Sequence, residues 1–457
     1  MHDTMKSSIA QMQIHEIMAL LDSGEASSAE ITDAFLERIR QRNDYIHAYT
    51  AIFEESARKQ AQEADKARAA GKAGRFCGIP YALKDLVDVS GERTGLGTHT
   101  SAAYRATRDA ELVKRLRDAG MVLLGKTHTV EFAYGSHGSN EKLGAPRNPL
   151  SSDQHFITGG SSSGSAAAVA AGLAPWAVGT DTGGSVRIPS AFCGLTGLRP
   201  TLGTIPDAGV GSLSRSLDTI GPLARSVRDV ALAYEAMSGI PAPRDILASG
   251  RSVALEGRRL AVLADTERKL IHADVLAAYD HSLDVLRTLG AELVPFAFPH
   301  ALDAFASLTA SLIAVEGFPR IAAIVNDPAE PMDESVRQRF SEARELPEGA
   351  HERLLEQRRR MRHDFDQALS GFDALLTPTT RGTAVPLSEI GHMNWVPAEL
   401  TRFVSFLSYA ALALPNGTGA NNMPTSLQII GQPQSESILL RIGAALEDAL
   451  ATHDKIR

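Results

Sequence analysis

Apolar residues recur at helical spacing through the N-terminal part of the chain. Ile31, Phe35 and Ile39 lie four residues apart, which places them on one face of a helix. Ser27–Glu30, directly before them, has the form of a capping box. The pattern therefore predicts three N-terminal helices, over residues 11–24, 27–42 and 50–73.

Short apolar runs alternate with helical periods in the rest of the chain. Gly78–Lys84 reads as a turn followed by a short buried strand that ends at Lys84. The other predicted strands lie near 121–124, 174–180, 259–264, 372–376, 410–414 and 426–430, and further helices are predicted over 109–119, 166–171, 273–289 and 350–369. Proline interrupts the pattern at 328–349, which favours an excursion at the surface.

This alternation over the whole length is typical of a layered α/β protein. We expect a single large domain over residues 1–457, with a central twisted sheet, mixed but mostly parallel, flanked by helices. Within it we expect a helical segment at about 5–73, a core at about 75–240, and a variable region at about 300–405 that forms the substrate pocket.

Composition narrows the class of function. The 457 residues are 44% apolar and 22% charged, with a net charge of −8 and no basic block, which disfavours nucleic-acid binding. The two cysteines, Cys77 and Cys193, form neither a metal motif nor a disulfide framework, and His128, His137 and His155 have no ligand spacing. We expect no metal, no cofactor and no membrane partner, in a cytoplasmic monomer or homodimer.

Two Gly-Gly-Ser triplets carry the candidate chemistry. Ser161 and Ser185 end these triplets and stand 24 residues apart, with an alanine-rich helix between them. Glycine lets the backbone come close to a ligand, so each triplet can present a hydroxyl beside exposed N–H groups. The triplets are consistent with acyl chemistry, or with turns that only link two elements or cradle a phosphate, although the lysine of a P-loop is missing.

The segment Gly160–Gly164 also matches the G-x-S-x-G elbow of α/β-hydrolases, with Ser162 at its centre. An elbow follows a strand, and the preceding residues 151–155 are too polar for a central strand. An esterase that uses Ser162 is therefore a less favoured alternative.

Lys84 ends the apolar run Ile79–Leu83. Burial lowers the pKa of a lysine and can make its neutral amine available as a base. The alternative is a structural ion pair with Asp85 or Asp88.

The region 159–201, together with G-I-P-Y-A-L-K-D at 78–85, resembles the amidase signature family of hydrolases. The likeness includes G-G-S-S, the 24-residue spacing, G-T-D-T-G-G-S-V-R-I-P and A-F-C-G-L-T-G-L-R-P-T. It extends more weakly through 131–135, 146–149, 373–379 and 426–431. Ser163 departs from the family's commoner glycine, a small change.

The resemblance implies a role for each matching residue and no cofactor. Ser185 would be the nucleophile, Lys84 the general base, and Ser161 the bridging serine that follows a cis peptide bond. The remaining implied residues are Thr182, Gly183 and Gly184 in the oxyanion hole, Tyr134, Gly135, Ser136 and Gly160 at the substrate, and Ser162, Asp181 and Arg187 in support.

The function implied is hydrolysis of a C–N acyl bond in a small amide, aryl amide or carbamate, with ester or urethane cleavage as possible activities. The pocket walls are expected in 131–140, 300–345 and 380–405. Their apolar residues favour an uncharged, partly apolar ligand: Phe305, Leu312, Ile313, Phe318, Met393, Trp395 and Phe403.

Two other classes of function remain open. One is the glutaminase subunit of a tRNA-dependent amidotransferase, although Ala398–Phe406 departs from the acidic stretch of those subunits. The other is a non-catalytic binding protein, which has no need of Lys84, Ser161 and Ser185 together.

Overall fold

A mixed sheet of eleven strands forms the centre of the chain in a computed structural model that describes residues 9–247 and 254–453. Two further short strands form a separate ribbon. The strands are β1 (Tyr49–Ile52), β2 (Pro80–Lys84), β3 (Arg93–Thr94), β4 (Tyr104–Arg105), β5 (Val122–Thr127), β6 (Trp176–Asp181), β7 (Thr196–Arg199), β8 (Thr219–Ala224), β9 (Arg259–Leu263), β10 (Glu292–Phe296), β11 (Ala374–Pro378), β12 (Ala410–Thr418) and β13 (Pro424–Gly431).

Helices flank this sheet. They are α1 (Ile14–Ser23), α2 (Ser28–Ile46), α3 (Glu54–Ala69), α4 (Glu111–Asp118), α5 (Ser163–Ala170), α6 (Arg187–Phe192), α7 (Val227–Ser238), α8 (Arg244–Leu247), α9 (Asp265–Arg268), α10 (Ala273–Thr288), α11 (Ala304–Asn326), α12 (Glu334–Ser341), α13 (Ala350–Ala368), α14 (Arg402–Phe406) and α15 (Glu436–His453). The layered α/β architecture in one domain is as the sequence predicts.

The strand order is β1-β5-β2-β6-β8-β7-β12-β13-β11-β9-β10. Only the groups β5-β2-β6 and β11-β9-β10 pair in parallel; the other neighbours are antiparallel. The prediction of a mixed sheet is confirmed, but the prediction that it is mostly parallel is wrong. Short connections explain this, because the few residues between β12 and β13 cannot make the long crossover that parallel neighbours need.

Two local predictions also differ from the structure. The predicted helix 50–73 begins only at Glu54, because Tyr49–Ile52 pairs with β5 as an edge strand. The predicted surface excursion 328–349 contains helix α12, whose Val336 and Phe340 are fully buried. The Phe340 ring packs edge-on against Tyr134 at 4.9 Å between centroids, so this segment belongs to the core.

Helix α11 is long and apolar enough, by length and composition, to cross a membrane. It packs against α12, α13 and α14, and it carries Glu316, whose carboxylate accepts hydrogen bonds from Ser214 and Ser216. Through these contacts one face of α11 packs on the core of the protein.

The parallel group β5-β2-β6 determines where chemistry can occur. Strand β2 lies between its two neighbours, and all five of its residues are buried. Leu83 is opposite Val178, so the carboxyl ends of β2 and β6 lie at the same edge of the sheet. Lys84 ends one strand and Thr180 and Asp181 end the other, at an edge where α/β sheets commonly bind ligands.

Candidate active site

Lys84 lies fully buried at the end of β2 and points to two hydroxyl groups. Its Nζ atom is 2.7 Å from Ser161 Oγ and 2.8 Å from Thr180 Oγ1. The structural alternative of an ion pair with a neighbouring aspartate is wrong. Asp85 instead pairs with Lys126 at 3.3 Å, and Asp88 accepts hydrogen bonds from Thr94 and Tyr104.

Burial controls the protonation of Lys84. It lowers the pKa of the amine to about 7, against the opposing effect of the negative charges of Asp218 and Asp181, which raise it. A large fraction of this lysine is therefore neutral near neutral pH and can accept a proton.

Ser161 is held in place by its backbone. The Gly160–Ser161 peptide bond is cis, as the resemblance implied. The Ser161 carbonyl accepts hydrogen bonds from the Thr129 hydroxyl at 3.1 Å and from the Val130 N–H at 3.2 Å. Since Ser161 is completely buried, its hydroxyl has a fixed position beside Lys84.

Ser162 has a different environment from Ser161. Its hydroxyl donates to the Thr180 carbonyl and accepts from the Thr180 N–H, both at 3.2 Å, and the side chain is fully buried. The residues before it form no sheet strand, so the strand–turn–helix geometry of an elbow is missing. Ser162 joins the start of α5 to β6, and it has no free hydroxyl with which to attack a substrate.

Ser185 lies in the loop between β6 and α6 and reaches a cavity. Its carbonyl accepts from the Ser162 N–H at 3.3 Å, which ties the two serine loops together. Within residues 9–247 and 254–453 the Ser185 hydroxyl has no hydrogen-bond partner, so it is available to a ligand. Helix α5 and strand β6 fill the interval between Ser161 and Ser185, which accounts for the 24-residue spacing.

Gly184 allows this loop to pass close to α14. Its φ of +126° lies in a region that L side chains rarely adopt, and a Cβ there would overlap the Thr401 side chain. The Thr401 hydroxyl donates to the Gly183 carbonyl at 2.6 Å and so fixes the loop from the other side.

The buried Asp181 carboxylate organises the Ser185 loop. It accepts from Arg187 Nε and Nη2, each at 2.9 Å, and lies 3.2 Å from Arg199 Nη1. Burial acts to raise the pKa of Asp181, but the charges and hydrogen bonds of the two arginines outweigh it and hold that pKa well below its usual range. Asp181 and Arg187 thus form a buried ion pair, and neither residue lines the cavity.

Not every backbone N–H group predicted for the oxyanion hole is free to bind a ligand. The Gly184 N–H donates to Asp181 Oδ1 at 2.8 Å, so it points into the loop and not towards a ligand. Among the described residues, the N–H groups of Thr182, Gly183 and Ser185 have no such partner. This arrangement could not be read from the sequence, because it depends on the direction of the Asp181 carboxylate.

The cavity in front of Ser185 has a volume of about 280 Å³. Thr182, Gly183 and Ser185 form one wall, and Tyr134, Gly135 and Ser136 form another. Gly160 lies behind this second wall, where its N–H donates to the Ser136 carbonyl at 2.8 Å. The other lining residues are Ala133, His137, Ile188, Leu213, Ile313, Arg339, Val396, Ala398 and Arg402.

The lining residues come from all three predicted wall segments, but most of the apolar residues chosen from the sequence do not line the cavity. Of the seven apolar residues proposed from the sequence, only Ile313 lines it. Phe305 and Phe403 instead pack against each other in the core, at 6.1 Å between ring centroids. The wall carries two arginines, Arg339 and Arg402, which the sequence analysis did not single out.

Two positioning residues were also missed. Thr180 provides the second hydroxyl beside Lys84, and Asp218 accepts a hydrogen bond of 2.5 Å from the Thr182 hydroxyl. Asp218 in turn accepts from the N–H groups of Leu213 and Ser214. Thr180 belongs to the G-T-D-T-G-G-S motif, so the sequence could have indicated its place in the site. Nothing in the sequence around Asp218 indicates that it contacts Thr182.

A second cavity of about 190 Å³ adjoins the first and shares Leu213 with it. Arg320 and Tyr104 lie in its wall, but none of Lys84, Ser161 and Ser185 does. The candidate chemistry therefore belongs to the cavity at Ser185.

The histidines named in the sequence analysis are dispersed. His128 is buried 3.0 Å from Ser163 Oγ, and burial lowers its pKa to about 4. His137 lines the cavity, where burial and the charge of Arg339 lower its pKa to about 4, so it is neutral at neutral pH. His155 lies 3.2 Å from the Pro146 carbonyl. In the described part of the chain, no three His, Cys, Asp or Glu residues are grouped as metal ligands.

Known proteins resemble this chain over nearly its whole length. A family model described as Amidase matches residues 30–440. The A subunit of glutamyl-tRNA(Gln) amidotransferase from Roseiflexus sp. (strain RS-1) is 34% identical over 483 residues, which cover 98% of each chain. Native peptide amidase from Stenotrophomonas maltophilia has a TM-score of 0.82 at 30% identity, covering 96% of this chain and 97% of that one. A 6-aminohexanoate cyclic dimer hydrolase, solved with its substrate, has a TM-score of 0.84 at 28% identity, with the same coverage of both chains.

Proposed function

Since the chain belongs to the amidase signature family, we propose that it hydrolyses the C–N acyl bond of a small-molecule amide with Ser185 as nucleophile. The observation that carries this proposal is the contact between Lys84 Nζ and Ser161 Oγ at 2.7 Å. A buried lysine with no carboxylate partner among the described residues has one evident use here, which is to accept a proton. The same acyl chemistry would extend to aryl amides, carbamates and esters.

The reaction begins when Ser185 Oγ attacks the substrate carbonyl carbon. Its proton passes to Ser161, and the Ser161 proton passes to neutral Lys84. The negative charge that develops on the carbonyl oxygen is stabilised by N–H donors from Thr182, Gly183 and Ser185, while Gly184 holds the loop. One such donor is typically worth roughly 10²–10³ in rate.

The tetrahedral intermediate then breaks its C–N bond. The relay returns the proton to the leaving nitrogen, so the amine departs neutral and Ser185 keeps the acyl group. Water attacks this ester with the same relay as base, and the acid product leaves. Each proton is accounted for, and the reaction needs no oxidant and no co-substrate other than water.

The pH dependence follows from Lys84. Only its neutral amine can accept the proton, and burial lowers its pKa to about 7. We expect kcat/KM to fall tenfold per pH unit below about 7 and to level off above about 8. Stopped or continuous assays of amine release between pH 5 and 9 measure this; a rate that is flat through pH 7 would contradict the assignment.

The two adjacent serines should respond differently to alanine. Ser161→Ala removes the relay and should lower kcat by about 10²–10⁴-fold, the usual range for a lost acid–base group. Ser162→Ala removes hydrogen bonds to the Thr180 backbone and should mainly lower Tm, with a smaller loss of kcat. Steady-state kinetics and thermal unfolding of both variants separate these effects, and the reverse order would favour Ser162 as the reacting group.

A second candidate is the glutaminase subunit of a tRNA-dependent amidotransferase. It is favoured by relatives with that name at 33–35% identity. Two features of the cavity oppose it. The stretch 398–406, which departs from the acidic stretch of those subunits, contributes only Ala398 and Arg402 to the wall, and no Asp or Glu lines the described cavity. Glutamine carries an ammonium group, which such a site would leave without a partner.

One screen distinguishes the candidates. The chain is incubated with amides, anilides, carbamates, esters and glutamine, and the masses of both products are measured. We expect acid and amine from at least one amide. Ammonia release restricted to glutamine would support the amidotransferase subunit, and no turnover of any C–N substrate would overturn both candidates.

A further inference from the structure

The walls of the cavity at Ser185 carry positive charge and no described negative charge. Arg339 comes from α12 and Arg402 from the start of α14, and guanidinium groups remain protonated at all ordinary pH values. The other polar lining side chains are hydroxyls and the neutral His137. No Asp or Glu contributes to the described wall. A ligand that fills this space therefore meets a net positive surface.

No described carboxylate pairs with either arginine, but Arg402 is the more unusual of the two, because its guanidinium also donates no hydrogen bond to a described residue, whereas that of Arg339 donates to Ser335. The Arg402 Cγ would lie 3.7 Å from a Cβ on Gly183, so its stem packs beside the Ser185 loop. The nearest carboxylate along the chain, Glu399, pairs with Arg381 at 2.7 Å and accepts from the Val396 N–H at 3.0 Å. The Arg402 guanidinium is thus partly removed from water without a counter-ion, which is unfavourable unless a ligand provides one.

Arg339 lies on the other side of the same space. Its guanidinium is 5.2 Å from the centre of the Tyr134 ring and donates to the Ser335 carbonyl at 3.0 Å. Asp333, on the same helix, is occupied as the N-cap, where it accepts from Ser335 and Val336. The Tyr134 hydroxyl is buried and has no hydrogen-bond partner among the described residues. Burial raises the pKa of Tyr134 to about 12, so it remains a donor.

We infer that the amide cleaved at Ser185 carries a free carboxylate, which Arg402 and Arg339 bind, and no adjacent ammonium group. This rests on the proposed function and adds the substrate class to it. The chemistry fits half-amides of small dicarboxylic acids, in which the charge and the scissile amide are separated by a short apolar spacer. Arginine binds a carboxylate through paired N–H donors, so it fixes both the position and the direction of the substrate.

The test compares substrates that differ only in charge. Succinamate, glutaramate and adipamate are each paired with the neutral amide that has a methyl group in place of the carboxylate: butanamide, pentanamide and hexanamide. We expect kcat/KM to favour at least one anionic member by roughly 10- to 100-fold, the usual worth of hydrogen bonds to a charged group. Arg402→Met should remove that preference, mainly by raising the KM of the anionic members.

Arg268→Met is the matched control, since this arginine pairs with Asp280 at 2.7 Å and does not line the cavity. It should leave the preference intact. Equal kcat/KM for anionic and neutral members, or a preference that survives Arg402→Met, would overturn the inference while hydrolysis of amides still supports the proposed function.

Binding measured without turnover keeps the two proposals separate. Calorimetry of glutarate with the Ser185→Ala protein should give saturable binding, which weakens at least tenfold when Arg402→Met is added. If no amide is cleaved but glutarate binds in this way, the proposed function fails and the anion site stands. If glutarate does not bind and the dicarboxylic half-amides are not preferred, the anion site is wrong.

Discussion

Replacing Ser185 with alanine should lower kcat by at least about 10⁴-fold for any amide that the protein cleaves, a typical loss for the nucleophile of a serine hydrolase. The reason is that no other described serine combines a free hydroxyl with a place in the cavity wall next to three unpaired N–H donors. Substrate binding should be retained, because the lost oxygen takes no part in holding the loop. Single-turnover kinetics with amine detection by mass spectrometry measures the loss.

Ser190→Ala provides the matched control for this variant. Ser190 lies five residues further on, and its hydroxyl donates to the Val186 carbonyl at 2.9 Å, inside the helix that follows the loop. It should lose stability slightly and keep most of its kcat. An active Ser185→Ala protein, with kcat within tenfold of the parent, would contradict the role of Ser185.

Replacing Lys84 with methionine should lower kcat by about 10²–10⁴-fold and abolish the acid limb of the pH profile. Methionine fills a similar volume but can neither accept a proton nor orient Ser161. The variant should also show no fall in Tm at neutral pH. Folding lowers the pKa of Lys84 from 10.5 to about 7, so the unfolded chain binds more protons between these values. The wild-type lysine therefore costs stability at pH 7, and that cost decreases as the pH rises towards 10.5.

Lys126 offers the comparison with a structural lysine. It is also buried at the sheet, but it pairs with Asp85 at 3.3 Å and donates to the Thr94 hydroxyl at 3.1 Å. Lys126→Met leaves a buried carboxylate unpaired and should lower Tm clearly while the acid limb stays near pH 7. A Lys84→Met protein that retains its acid limb would show that another group gives rise to it.

The sequence predicts those residues of the candidate site that lie in a recognisable local pattern. Lys84 follows an apolar run, and both serines lie in glycine-rich motifs, so their type and spacing carry the information. The mixed sheet could be predicted from the alternation of helices and strands. Its pairing directions could not, because β6 pairs with β8 and β7 with β12 across long separations in the chain.

The wall of the cavity was harder to predict for a related reason. Arg339 lies in a polar, proline-bearing segment that resembles a surface loop, and only two buried side chains, Val336 and Phe340, turn it into a packed helix. Tyr49–Ile52 continues the composition of the helix after it, and only its pairing with β5 makes it a strand. In both cases tertiary contacts override a weak local preference.

The most direct test of the Lys84–Ser161–Ser185 assignment is to find where the acyl group is attached. The protein is mixed with an excess of a cleaved amide, quenched in acid during the first turnovers, digested and analysed by tandem mass spectrometry. We predict that the acyl mass is found on Ser185, and that it is missing from Ser185→Ala. An acyl group on Ser161 or Ser162, or hydrolysis at full rate with no acylated serine at any time, would contradict this assignment.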